Sequence, residues 1–153
     1  MSVLLHPSTL ETARETQEPC LLRVAFICTE NSNRSQMAEA FARAMGGENV
    51  EAYSAGSSPS GKVNPKAIDS MRRVGYDLSQ HRSKSLSELE HLELDVVVTM
   101  GCGDACPTLT ARRRLEWQVP DPRHLASAEF DRVRDLIGQK VKSLFVELRG
   151  REM

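Results

Sequence analysis

Cys28 opens the run Cys28-Thr29-Glu30-Asn31-Ser32-Asn33-Arg34-Ser35, in which a thiol is followed six residues later by an arginine and then by a serine. Each of these residue types has chemistry to offer. A guanidinium is a planar fork that matches two oxygens of a tetrahedral anion. Successive backbone N–H groups in a loop that leads into a helix cradle the same anion, with the helix N-terminus behind them. That field favours thiolate over thiol, and the Ser35 hydroxyl can donate a hydrogen bond to it. The set reads as a nucleophile beside an oxyanion site, with Thr29, Glu30, Asn31, Ser32, Asn33 and Arg34 as the cradle. The bland alternative is an inert strand-end cysteine near a surface arginine; the coincidence of spacing, serine and following helix weighs against it.

Such a site needs elements to hold it. Leu21 to Cys28 is a nearly continuous apolar run, which suits a buried strand of the parallel type. Met37, Phe41, Ala44 and Met45 follow at helical spacing, and Gly46-Gly47 stops that helix. Asn49 to Gly56 reads as a second strand. Asn64 is a candidate N-cap with Pro65 as the first helical residue; Ala67, Ile68, Met71 and Val74 form the apolar face, and Gly75 ends the helix. Leu92 to Met100 reads as a third strand and Leu115 to Val119 as a short fourth. Phe130, Val133, Ile137, Val141, Leu144 and Leu148 line one face of a long C-terminal helix. Arg112 to Arg114 read as a solvated loop, with a docking patch for an acidic protein partner as the alternative. Strands alternating with helices predict an α/β fold with a parallel sheet, in which ligands bind outside the carboxyl ends of the strands. Cys28 stands at such an end.

The 153 residues suffice for one domain with its own core. Residues 1–20 are polar, lack periodicity and contain Pro7 and Pro19; they read as an N-terminal extension to a catalytic domain over residues 21–153. A net charge of -1 argues for no nucleic-acid partner. No apolar run approaches the roughly 20 residues of a membrane helix, and the first residues do not resemble a signal peptide; no membrane association and a cytoplasmic location are expected. In that setting the four cysteines, Cys20, Cys28, Cys102 and Cys106, are more suited to catalysis or redox work than to a disulfide framework. Cys20 reads as incidental. Cys102-x3-Cys106 lacks a second matched ligand pair, so no metal is expected.

The stretch "CTENSNRSQMAEAF" resembles the C-x5-R-S loop of the low-molecular-weight protein tyrosine phosphatase superfamily, and most closely its arsenate reductase branch. The resemblance continues through "YSAGSSPSGKVNPKAI", "GYDLSQHRSKSL", "DVVVTMGCGDACP" and the tryptophan before "DP", covering most of residues 21–149. It implies a four-stranded parallel sheet flanked by helices, a flavodoxin-like three-layer arrangement. It also implies that Asp121, between two prolines, protonates the oxygen that leaves when Cys28 attacks.

The two branches part after that attack. A phosphocysteine is hydrolysed, whereas an arsenocysteine needs a second thiol. By resemblance, Cys102 attacks Cys28 and releases arsenite, Cys106 then attacks Cys102, and thioredoxin reduces the resulting disulfide. The short gap in "GCGDACP" also resembles reductases that use mycothiol or glutathione with a glutaredoxin- or mycoredoxin-type protein. No bound cofactor is implied, and phosphate and sulfate are expected competitors of arsenate. Asn31 and Ser54 resemble residues that brace the cradle. Lys84 stands where some relatives carry a carboxylate beside a potassium ion, so its ammonium is expected in the cation's place and no potassium dependence is expected. Directly after Asp121 the chain reads "PRHLAS", with no aromatic residue, which disfavours a phosphotyrosine phosphatase, the runner-up. A non-enzymatic oxyanion or redox sensor is the third reading.

Overall fold

The computed structural model describes residues 21–101 and 109–152. The proposed extension, Cys20 and both Cys102 and Cys106 lie outside the described residues. Four strands, β1 (Leu22–Cys28), β2 (Val50–Gly56), β3 (Glu93–Thr99) and β4 (Thr110–Glu116), form one sheet in the order β2-β1-β3-β4. Every neighbouring pair is parallel. The helices are α1 (Arg34–Gly46), α2 (Pro65–Arg72) and α3 (Ser127–Glu152), with single 3₁₀ turns at Gly47–Asn49 and Leu86–Leu89.

Period-two alternation sorts the side chains of β1. Val24, Phe26 and Cys28 face a core shared with Met37 and Phe41 of α1, Ala67 and Met71 of α2, and Phe130, Ile137 and Val141 of α3. Ala25 and Ile27 face a smaller core with Ala55, Val97 and Leu109, covered by Leu89 of the 3₁₀ turn. Cys28 therefore points to the face on which α1 begins. Its central strand is buried from Val24 to Cys28, as its apolar composition requires.

Two expectations need correction. Val74 is 42% exposed, because α2 ends at Arg72 and the chain turns through Val74 and Gly75, whose φ is 93°. The Asn64 side chain does cap this helix, accepting from the Lys66 N–H at 3.0 Å. The fourth strand runs over Thr110–Glu116 rather than Leu115–Val119, so Arg112 to Arg114 are strand residues and not a loop. The strand is an edge, and an edge tolerates charge on its open side. Arg113 pairs with Glu147 at 3.3 Å and Arg112 with Asp95 at 3.8 Å. No helix among the described residues is long and apolar enough to cross a membrane.

Candidate active site

The turn from β1 into α1 makes a loop whose carbonyls are taken up from outside. Ser57 N–H donates to the Cys28 carbonyl, Ser58 N–H to Thr29, Ser60 N–H to Glu30 and Asn64 N–H to Ser32, at 2.8 to 3.3 Å. Ser83 Oγ also donates to the Glu30 carbonyl at 2.8 Å. With those carbonyls held outward, the loop's N–H groups are left for the inner side, as in a backbone nest. Asn31 has φ 53°, the left-handed conformation that asparagine tolerates better than most residues. Gly56, beside Cys28 in the β1–β2 register, lets the loop pass closely: a Cβ there would lie 2.6 Å from the Thr29 carbonyl oxygen.

Inside the loop is a small cavity of ≈ 120 Å³, lined by Cys28, Thr29, Glu30, Ser32, Asn33 and Arg34 of the loop and by Asp121 and Arg123 from a distant segment. Cys28 is 3% exposed. Its Sγ lies 2.9 Å from Ser35 Oγ. Asn31 Nδ2 donates to that same hydroxyl oxygen at 2.8 Å, so the Ser35 proton is directed to the sulfur. Arg34 is fixed by a hydrogen bond from Nη1 to the Val119 carbonyl at 3.1 Å. Gly101, with φ 83°, allows its close approach: a Cβ would sit 2.6 Å from Arg34 Nη1. Asp121 is half-exposed, with Oδ2 4.0 Å from Arg34 Nη2. The Arg123 N–H donates to Asp121 Oδ1 at 3.1 Å. Asn33 Oδ1 is buried with no hydrogen-bond partner among the described residues.

Behind the loop is a polar layer that the sequence reading only partly found. Asn31 Oδ1 accepts from Gln36 Nε2 at 2.9 Å and from the Lys84 N–H at 2.8 Å. Gln36 Oε1 meets His81 Nδ1 at 2.9 Å. Buried Ser54 donates to Glu39 Oε1 at 2.5 Å, and Glu39 pairs with Arg43 at 2.6 Å. Lys84 Nζ lies 2.9 Å from the Arg82 carbonyl, 3.3 Å from Ser54 Oγ and 3.9 Å from Glu39 Oε1. Burial pushes the Lys84 ammonium below its ordinary range, with Glu39 opposing. Burial likewise lowers His81, again against Glu39. Among the described residues no group of three or more His, Cys, Asp or Glu is placed to hold a metal.

The structure thus brings Cys28, the cradle, Arg34, Ser35 and Asp121 together, and sets Asn31, Ser54 and Lys84 behind them. Cys102 and Cys106 are outside the described residues. Gln36, Glu39, His81 and Arg123 were missed. Gln36 and Glu39 fall in the first two turns of α1, the helix that follows the cysteine loop, which is a weak signal; His81 carried none. Arg123 follows the Pro-Asp-Pro turn directly, and its neighbourhood to Asp121 was readable.

Residues 23–152 match the family described as low molecular weight phosphotyrosine protein phosphatase. A protein of Staphylococcus saprophyticus named arsenate reductase 2 is 44% identical over 126 residues, covering 80% of this chain and 95% of its own. A Staphylococcus xylosus arsenate reductase is 45% identical over 118 residues, covering 74% and 88%. A solved structure described as an arsenate reductase in the phosphate binding state superimposes with a TM-score of 0.76 at 34% identity, covering 82% of this chain and 98% of that one. A thioredoxin-dependent arsenate reductase of Corynebacterium glutamicum gives 0.67 at 27% identity, covering 84% and 62%.

Proposed function

The chain belongs to the low-molecular-weight phosphotyrosine protein phosphatase family, and from that premise we propose that it reduces arsenate to arsenite. The observation that carries the chemistry is the buried Cys28 Sγ, hydrogen-bonded to Ser35 at 2.9 Å on the floor of a cavity that Arg34 and Asp121 line. The arsenate reductases among its relatives decide the substrate.

In this reading Arg34 and the loop N–H groups hold the tetrahedral arsenate with arsenic in line with the thiolate. Ser35 donates a hydrogen bond to the sulfur and orients it. Cys28 Sγ bonds to arsenic, and Asp121 gives its proton to the departing oxygen, which leaves as water. A second thiolate then attacks Cys28 Sγ. The S–As bond breaks with its electron pair going to arsenic, so As(V) becomes As(III) while two thiols become a disulfide. Cys102 is the proposed attacker and Cys106 the resolving thiol, with thioredoxin restoring the pair; this draws on the thioredoxin-dependent relative. The other form uses mycothiol or glutathione with a glutaredoxin-type protein.

Lys84 is proposed to stand in for a bound cation beside Ser54 and Glu39. Its contacts at 3.3 and 3.9 Å support that role. Turnover should therefore be the same in potassium and in sodium at equal ionic strength; a steep rise in potassium would remove Lys84 from the role.

The test is a thiol count. Fully reduced protein is mixed with a slight excess of arsenate, and free thiols and disulfides are mapped by peptide mass spectrometry. Loss of two thiols with a Cys102–Cys106 bridge and release of arsenite is the expected result. No loss directs the second arm, in which mycothiol or glutathione and its partner protein are added; no arsenite there either would overturn the reading. The phosphatase reading, favoured by a cradle that suits phosphate equally, predicts that Cys102→Ser and Cys106→Ser leave the natural activity intact. A sensor would react once and stop with every reductant supplied.

A further inference from the structure

The lining of the cavity includes an ion pair that the chemistry above does not use. Arg123 Nη1 lies 2.7 Å from Glu30 Oε2. Glu30 belongs to the cradle and Arg123 to the segment carrying Asp121, so the pair joins the anion loop to the acid loop across 93 positions of sequence. Both ends are held. Two donors converge on the Glu30 carbonyl, Ser60 N–H and Ser83 Oγ, which fixes where its side chain starts. The Arg123 N–H is tied to Asp121 Oδ1. Around the mouth the charges alternate: Arg34, Asp121, Arg123, Glu30, with Asp121 Oδ2 4.0 Å from both arginines.

A carboxylate inside an anion cradle is unfavourable unless it is neutralised. Arg123 supplies that neutralisation, and both side chains line the cavity. The space, ≈ 120 Å³, is room for a small ion. A phosphate or arsenate ion held by Arg34 needs little more than this; the aryl group of a phosphomonoester adds bulk that has to clear the lining, to which Glu30 and Arg123 belong. Both side chains are partly exposed, at 45% and 37%, so the pair is of the weak kind that opens and re-forms readily.

We propose that the Glu30–Arg123 pair is a specificity gate that selects free tetrahedral oxyanions over their organic esters. This deepens the arsenate reading and rests on it for biological meaning, but its test does not need turnover. The measurement is protection of Cys28 from iodoacetamide, resolved by peptide mass spectrometry so that the other cysteines do not contribute. Inorganic phosphate and phenylphosphonate are the protecting probes. Glu30→Ala leaves Arg123 unopposed and should tighten both. Arg123→Ala leaves Glu30 unopposed and should weaken both. In each case the preference for phosphate over phenylphosphonate should fall, by about threefold or more, within the range a partly exposed pair supports. The reversed pair, Glu30→Arg with Arg123→Glu, should restore the preference. An unchanged preference in both single variants, with unchanged melting temperatures, would overturn the gate. A wild-type chain that protects as described yet reduces no arsenate would overturn the reductase reading alone.

Discussion

Ser35 decides what Cys28 is. Its oxygen already accepts from Asn31, so its single proton goes to the sulfur. Hydrogen bonds to a charged partner contribute about 1.5–3 kcal/mol. Ser35→Ala should therefore slow alkylation of Cys28 at neutral pH by roughly tenfold or more, with the fold intact by circular dichroism; an unchanged rate would show that the loop N–H groups alone hold the thiolate. At this scale the sequence was most informative. Cys28, Arg34 and Ser35 lie within eight consecutive residues, so their proximity follows from one loop. His81 reaches the site through folding alone, and no local spacing announces it; Arg123 stands two residues from Asp121, but its meeting with Glu30 has no such signal.

Among the elements, the β1–α1 turn is shaped from the next strand. Gly56 leaves no room for a side chain against Thr29 and Asn31. Gly56→Ala should push the cradle out of register and cost ~1–3 kcal/mol; a fall in melting temperature together with lost phosphate protection of Cys28 is expected, and retained protection would mean the loop yields elsewhere. Strand β1 was legible because its residues are nearly all apolar, and β3 because Val96, Val97 and Val98 form a buried β-branched centre. Strand β4 was not: it has one neighbour, alternates between exposed and half-buried positions, and carries three arginines. Its composition looks like a loop because the edge is open to water. The order of the strands was not readable either, since parallel pairing leaves no trace in the sequence of an individual strand.

Over the whole molecule, the polar layer behind the cradle couples stability to pH. Burial holds the folded His81 below its ordinary value of 6.5. Gln36, Glu39, Arg43, Lys84 and Asp77 surround it. Below about pH 6.5 the unfolded chain takes up the proton first, so stability should fall as pH drops from there through the folded value. The depressed Asp131, held by Arg73, adds its own loss only below 3.8. Denaturant midpoints followed from pH 8 to 5 should decline in the wild type and decline less in His81→Gln; parallel curves would assign the slope to other groups.

The central place of β1 also bears on how the protein is made. The strand that ends in Cys28 is synthesised before both of its neighbours, β2 and β3. Glu30 leaves the ribosome 93 residues ahead of Arg123. At about 5–20 residues per second that interval is roughly 5–20 s. During it the growing chain already carries the whole run from Cys28 to Ser35 but neither Asp121 nor Arg123. The thiol and its loop are thus made in one piece, well before the two side chains that complete the lining of the cavity.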